Sequence, residues 1–401
     1  MNSNLKYLCI FGGGAVRGFS YLGAYRALVE CEIDTVALAG SSVGAVFSAF
    51  WAVGIPPRQI EKFFLDVNFE LFKDINFLSG PEFAISKGGV FLDWLRENIE
   101  LYHYKENFKK GKNPPVTFKD IDKELIIIAS DLTNCKPFVF SKKTTPDFEI
   151  AMAVKISSSM PGLLKPQEHN GMLLCDGDLM KSIPLWRLCD CIDQNDVRVL
   201  EFRLEGIRQN NEIKSTPEYF NTVYSCMTNY ATDFIMEIYS QKDKFDYIKI
   251  DTKDLLLVNF NISIAQREEL IRIGYNSTKE FFTKILPQKK KALSLEYKKL
   301  LNILENVKIK LVKNRISKAE FEFLKIFPVL CEAKKVIDTI FYDEIMTLHE
   351  LFYKNLHTNL LNKKILNNKN LVTTYLLLLI HKLENKCKEL DSYECIPINM
   401  V

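Results

Sequence analysis

The chain has 401 residues, of which 47% are hydrophobic and 26% charged, so it can bury a large core and is expected to hold two domains. This composition excludes a chain that is mainly disordered. The longest strongly apolar run, Tyr375–Ile380, is far shorter than the roughly 20 residues of a membrane-spanning helix, so an integral membrane protein is excluded as well. The formal net charge is only +3.

The first predicted strand, Tyr7–Phe11, runs into a glycine-rich turn at Gly12–Gly18, and a helix is predicted over Phe19–Val29. A dinucleotide-binding fingerprint would need Gly or Ala where Arg17 stands, and a P-loop would need Lys where Phe19 stands. Neither phosphate-binding motif fits. The turn still places backbone amides at a helix N-terminus, where an anion is favoured, and such donors can form an oxyanion hole.

A second strand, Thr35–Ala39, leads into Gly40–Gly44, which reads Gly-x-Ser-x-Gly, and then into a helix over Ala45–Val53. This spacing is typical of a strained strand-to-helix turn that exposes the hydroxyl of Ser42, since only small neighbours allow the sharp bend. Taken alone, the motif is equally compatible with an ordinary tight connection.

The residues up to 287 continue to alternate between strands and helices. The predicted strands are Glu124–Ser130, Pro137–Ser141, Met172–Cys175, Val197–Leu204 and Phe245–Ile250. The predicted helices are Arg58–Val67, Phe91–Leu101, Asp147–Lys155, Pro217–Ser240 and Ile264–Ile285, the last with a capping box of Ser263 and Gln266. The aromatic stretch Phe69–Phe77 belongs to the core or lines an acyl pocket. This alternation predicts an α/β fold with a mostly parallel sheet covered on both faces by helices.

After Pro287 the pattern becomes entirely helical. Helices are predicted at Leu293–Val312, Lys318–Phe327, Leu330–Leu361 and Leu371–Leu390, with breaks at Pro328 and Asn367–Asn368. Residues 288–401 carry 20 Lys and Arg against 13 Asp and Glu, whereas residues 1–287 carry 33 against 37. We therefore predict a catalytic domain at 1–287 and a basic all-α domain at 288–401. The basic surface indicates a site for anionic lipid or a partner protein, or simply a solvated face.

Ser42 needs a neighbouring base to become a nucleophile. None of the five histidines follows a strand in a recognisable turn, so a Ser-His-Asp triad would require His169 to fold back beside Ser42. Asp176 is the other candidate, because it ends an apolar strand and precedes Gly177, which allows a tight turn. An ordinary Asp-Gly β-turn explains the same two residues. Asp178 adds a further carboxylate at this turn.

Four blocks in this order resemble the patatin-like phospholipase family: Gly13–Gly18, Gly40–Gly44, Ser157–Pro161 and Asp176–Gly177. The stretch Ala129–Thr133 is also similar to a strand of that family, and together the blocks cover about residues 5–285. The fold that the resemblance implies is a three-layer α/β/α domain with a mostly parallel sheet.

The resemblance also implies a Ser-Asp dyad, in which Ser42 attacks an ester carbonyl while Asp176 accepts the proton and later activates water. Arg17 would steady the glycine-rich turn or meet a lipid phosphate. No metal or other cofactor is implied. The oxyanion would be held by the backbone amides of Gly13, Gly14 and Ala15.

The expected function is that of a phospholipase A or lysophospholipase acting on phospholipid at a membrane surface, with no nucleic-acid partner. The polar start, Met1–Lys6, runs directly into the first strand, so no signal peptide is expected and a cytoplasmic or peripheral membrane location is predicted. The two-domain arrangement also resembles patatin-like proteins that intracellular bacteria deliver into host cells, where a helical part recruits a partner. The alternative is a partner- or membrane-binding protein whose α/β domain is weakly active or needs an activator.

Overall fold

The computed structural model describes residues 5–67, 84–180, 197–205, 244–252, 262–313, 316–326, 339–357 and 365–392, with isolated positions at 213, 219, 222–223, 226 and 328–329. The chain splits into two compact units. One consists mainly of Ser3–Ser240 and Phe245–Phe281, and the other mainly of Phe282–Ile398.

The first unit is mixed α/β. Its strands are β1 Lys6–Phe11, β2 Asp34–Gly40, β3 Ala84–Ser86, β4 Glu124–Asp131, β5 Lys136–Ser141, β6 Gly162–Leu164, β7 Gln167–His169, β8 Met172–Asp176, β9 Arg198–Glu205 and β10 Phe245–Asp251. Its helices are α1 Phe19–Glu30, α2 Val43–Ala52, α3 Pro57–Asp66, α4 Gly89–Tyr104, α5 Ile150–Ser157 and α6 Ile264–Glu280. The predicted capping box at the start of α6 is present, with mutual hydrogen bonds between Ser263 and Gln266.

The main sheet has eight strands in the order β10-β9-β1-β2-β4-β8-β7, with β5 paired to β4. The five strands from β10 to β4 are parallel, which confirms the predicted mostly parallel sheet. Residues Tyr7–Phe11 of β1 are buried without alternation. Such continuous burial is the pattern of a strand whose sheet is covered on both faces.

Strand β4 brings two other strands together end to end. Its residues 126–131 pair with β5, so β2 and β8 must both lie along its other side. There, β2 pairs in parallel and reaches Ile127 with its last residue, Gly40, whereas β8 pairs antiparallel and reaches Ala129 with its last residue, Asp176. The carboxyl ends of β2 and β8 therefore approach each other head-on, about 7 Å apart along β4.

Helices α1 and α6 pack closely through a pair of glycines. A Cβ added to Gly23 would overlap the carbonyl oxygen of Ile271, and one added to Gly274 would overlap that of Ser20. We expect Gly274→Ala to lower the free energy of unfolding by about 1–3 kcal/mol, because the helices would have to separate. Urea unfolding measures this. Asn276→Ala, on the exposed face of the same helix, should change stability little, and an equal loss in both variants would contradict the packing argument.

The second unit is helical. Its helices are α7 Leu286–Val312, α8 Ile316–Leu324, α9 Thr339–His357 and α10 Ile365–Asp391. They share one core, which includes Tyr297, Leu304, Phe323, Leu348, Leu376 and Leu383. A π-helical turn, Phe281–Ile285, lies between α6 and α7 in the chain. The second compact unit begins at Phe282. The predicted break at Asn367–Asn368 is wrong, because both residues lie inside α10.

Two predictions lie outside the described residues: the aromatic stretch Phe69–Phe77 and, apart from isolated positions, the helix Pro217–Ser240. Among the described helices, none combines the length and the apolar character needed to cross a bilayer.

Candidate active site

Ser42 stands on a strained turn between β2 and α2. Its backbone has φ 52° and ψ −126°, a left-handed conformation that side chains other than glycine rarely adopt. The flanking glycines are required by close backbone approach, since a Cβ on Gly44 would overlap the carbonyl oxygen of Phe11 and one on Gly40 would overlap that of Gly44. The Ser42 side chain is half-buried. The predicted strand-to-helix elbow at residues 40–44 is thus present.

The glycine-rich turn packs directly against this elbow. Ser41 N donates to Phe11 O at 3.1 Å, and a Cβ on Gly18 would overlap the side chain of Val43. Tyr21 Oη donates to Gly12 O at 2.7 Å. Burial, followed by the nearby carboxylates, raises the pKa of Tyr21, so its hydroxyl remains a donor. The glycine-rich turn at residues 12–18 and the elbow at residues 40–44 are therefore in direct contact.

Three consecutive serines, Ser157–Ser159, connect the elbow at residues 40–44 to Asp176. Ser42 N donates to both the carbonyl oxygen and the hydroxyl of Ser157, at 3.1 and 3.0 Å. Ser158 Oγ donates back to Ser42 O at 3.2 Å. On the other side of the block, Asp176 N donates to Ser159 O at 3.0 Å. These three serines therefore link the two residues that the sequence proposes as a dyad.

Asp176 is fully buried at the end of β8. Ser130 Oγ donates to its carbonyl oxygen at 2.7 Å, and Asp178 N donates to its Oδ1 at 2.8 Å. A Cβ on Gly177 would overlap Ile128 O, so the chain turns tightly against β4 at the point where β2 also ends. The structure thus brings the Asp176 turn and the Ser42 elbow to the same place.

Gly13, Gly14 and Ala15 differ in what their amides bind. Gly13 N donates to Asp178 Oδ1 at 2.9 Å. No residue in the described part of the chain accepts a hydrogen bond from the amides of Gly14, Ala15 or Val43. Sequence reasoning did not consider Val43, although the amide after the nucleophile commonly contributes to an oxyanion hole, and its position in the elbow was the available signal.

The histidines with described side chains do not hydrogen-bond to Ser42. His169 packs its ring against Phe148, with centroids 5.0 Å apart, and pairs with Asn170 Nδ2 at 3.2 Å. The alternative in which His169 folds back beside Ser42 is therefore wrong. Within the described ranges, no three or more His, Cys, Asp and Glu side chains are grouped so that they could hold a metal ion.

Two side chains near the site have perturbed titration. Burial lowers the pKa of Arg17, which is half-buried, yet a guanidinium stays charged at neutral pH. Burial, with the charge of Asp176, raises the pKa of Cys175 to about 12, so this thiol is not a nucleophile at neutral pH.

Lys155, on α5, is buried, and its Nζ donates to Lys165 O at 2.9 Å. Burial, and then the charge of Lys165, lowers its pKa to about 8. An unfolded lysine has a pKa of about 10.4, so between pH 8 and about 10.4 the unfolded state binds more protons than the folded state. The free-energy cost of burying the charged Lys155 is therefore fully present below pH 8 and is lost as the pH rises. Lys155→Met should therefore gain more stability at pH 7 than at pH 10.5 in urea titrations. The exposed control Lys136→Met should change stability by the same amount at both pH values. An equal gain at both pH values for Lys155→Met would contradict the prediction.

A half-buried serine on a strained elbow, in an α/β fold that brings backbone amides and a buried carboxylate to the same place, is the arrangement expected of an esterase-type serine hydrolase.

Comparison with known proteins narrows this class. The patatin-like phospholipase family model matches residues 9–188. "Uncharacterized protein R571" of Acanthamoeba polyphaga mimivirus is 27% identical over 301 residues, which cover 71% of this chain and 96% of that protein. "Probable lipid hydrolase 463L" of Invertebrate iridescent virus 6 is 28% identical over 181 residues, 44% of this chain and 61% of that protein.

The crystal structure of VipD from Legionella pneumophila covers 95% of this chain and 91% of its own, with a TM-score of 0.50 and 16% identity, a likeness in fold alone. Residues 9–188 thus match the patatin-like phospholipase family model, and this match supports an esterase-type lipid hydrolase.

Proposed function

We propose that this protein is a phospholipase A or lysophospholipase that releases ester-linked fatty acids by a Ser42–Asp176 dyad. Ser42 Oγ attacks the ester carbonyl carbon and its proton passes to Asp176. The ester oxygen then leaves with that proton, and the acyl group stays on Ser42. Water attacks the acyl-enzyme with Asp176 as base, the fatty acid is released and the Ser42 hydroxyl is restored.

The amides of Gly14, Ala15 and Val43 are the proposed oxyanion donors, because Gly13 N is engaged by Asp178. Of the three donors predicted from the sequence, this proposal therefore keeps Gly14 and Ala15. Donors of this kind act where negative charge develops, and losing one costs about 10²–10³-fold in rate. Arg17, charged beside the same turn, is the proposed support for the turn or contact for a lipid phosphate.

The observation that carries this proposal is the head-on approach of β2 and β8 along β4. Ser42 follows the end of one strand and Asp176 ends the other, while Ser157–Ser159 hydrogen-bonds to both residues. A buried carboxylate placed in this way can act as base without a histidine.

A fluorophosphonate probe tests the proposal, because it labels only activated serines. The expected result is one label on Ser42 together with release of fatty acid from phosphatidylcholine vesicles. The assay is run with and without a eukaryotic cell extract, since an activator is one of the predicted partners. Labelling of another serine, or none under either condition, would contradict the proposal.

The helical unit is proposed to carry a separate docking role. Leu371 and Leu378 on α10 are exposed by 54% and 57% and lie seven residues apart, hence on one face. The Ser42→Ala protein should still bind vesicles containing anionic lipid, and replacing both leucines with Ser should weaken that binding. Unchanged binding would remove the support for this role.

A further inference from the structure

We propose that Asp178 is a positioning residue that fixes the glycine-rich turn against the nucleophile elbow, through one carboxylate oxygen shared by Gly13 N and Ser41 Oγ. This inference rests on the proposed function, because it assigns the residue that holds the oxyanion donors in place. We call Asp178, Gly13 and Ser41 the clamp.

The clamp is buried and joins three segments. Asp178 is 3% exposed, and its Oδ1 accepts from Gly13 N at 2.9 Å and from Ser41 Oγ. A buried carboxylate is tolerated only when such bonds compensate its lost hydration, and charge-assisted bonds are the stronger kind. One side chain thus ties together the ends of β1, β2 and β8.

Gly13 fits the clamp for a steric reason. Its backbone is not among the left-handed glycines, so its conformation alone does not require glycine. A Cβ at this position would instead overlap Oδ2 of Asp178. The Asp178 carboxylate therefore occupies the space next to the Cα of Gly13, and any side chain at residue 13 would displace it.

The two carboxylates of this turn have different tasks. Asp178 accepts hydrogen bonds from Gly13 and Ser41, whereas its backbone amide donates to Asp176 Oδ1 at 2.8 Å. The clamp thereby sets the position of Gly14 and Ala15, which directly follow Gly13. A displacement of about 1 Å at such donors can cost about 100-fold in rate.

The test is a double-mutant cycle of Gly13→Ala and Asp178→Ala, read as the rate of fluorophosphonate labelling of Ser42 and as kcat and KM on a soluble p-nitrophenyl ester. Each single variant should slow labelling and lower kcat about 100-fold, with KM little changed. The double variant should be no slower than Asp178→Ala, since both changes remove the same contact. Asp178→Asn should be less impaired, because its amide oxygen still accepts both bonds.

Labelling of Asp178→Ala within about threefold of the wild-type rate, or additive losses near 10⁴-fold in the double variant, would overturn the clamp. Hydrogen exchange separates this from failure of the proposed function, because exchange in a peptide covering residues 8–18 should accelerate at least about tenfold in Asp178→Ala even if the wild type hydrolyses no ester. A peptide over β10 should not change. If Asp178→Ala does not fold, Ser41→Ala and Gly13→Ala carry the same measurements, and unchanged exchange and labelling in both would reject the proposal.

Discussion

Replacing Ser42 with Ala, or Asp176 with Asn, should reduce release of fatty acid from phospholipid vesicles by at least about 10⁴-fold, down to the background rate. The first change removes the attacking oxygen. The second keeps the size of the side chain but removes the base. Because nucleophile and base act as a unit, the double variant should be no slower than either single variant.

Matched controls come from the same elements. Ser48→Ala removes a buried hydroxyl on α2 that donates to Ala39 O, and Asp131→Asn alters a buried carboxylate at the end of β4 that accepts from Asn134 N. Both should stay within a few-fold of wild-type activity. Full activity in Ser42→Ala or in Asp176→Asn would reject the dyad, whereas loss in the controls would point to damaged folding.

The second large effect concerns stability and involves a buried ion pair in the sheet. Arg198 on β9 binds Asp246 on β10 through Nε and Nη2 at 3.1 and 2.8 Å, and Tyr7 Oη donates to the same carboxylate oxygen at 2.8 Å. Asp246→Ala should lower the free energy of unfolding by about 3–5 kcal/mol, because it removes a carboxylate that compensates the buried charge of Arg198 and accepts from Tyr7. Chemical denaturation measures the loss.

Lys249 and Glu205 provide the comparison, since they form an ion pair on the same two strands at 3.2 Å but on an exposed surface. Lys249→Ala should hardly change stability, because solvent screens such pairs. An equally small effect of Asp246→Ala would show that the buried pair contributes little. The activity remaining per folded molecule should be close to that of the wild type, since neither pair touches the proposed site.

Local patterns were sufficient to predict the elements that carry the site. The motif at residues 40–44 indicated Ser42, although it was equally compatible with an ordinary tight connection, and the contact of Gly44 with Phe11 is a feature of the tertiary structure. The capping box at Ser263 is equally local. Alternating strands and helices predicted the mostly parallel sheet, because a parallel connection needs a crossover helix. The predicted break at Asn367–Asn368 is wrong because α10 begins before them, at Ile365, and the packing of later leucines in the helix overrides the weak helix propensity of two asparagines.

The oxyanion donors were harder to predict from the sequence. The glycine-rich turn offered three successive amides that the sequence cannot distinguish. Their difference arises from Asp178, which lies 165 residues after Gly13 and 137 residues after Ser41. Nothing near Asp178 in the sequence indicates those partners, so it was noted only as an additional carboxylate.

By itself, the sequence determined the identity of the elements and the two turns that carry Ser42 and Asp176, because backbone sterics and hydrophobic periodicity act over a few residues. Only the tertiary structure decided that β2 and β8 meet end to end on β4 and that Asp178 binds the glycine-rich turn. Strand order and register depend on contacts between residues that lie tens to more than a hundred positions apart, and local preferences carry no information about such pairings.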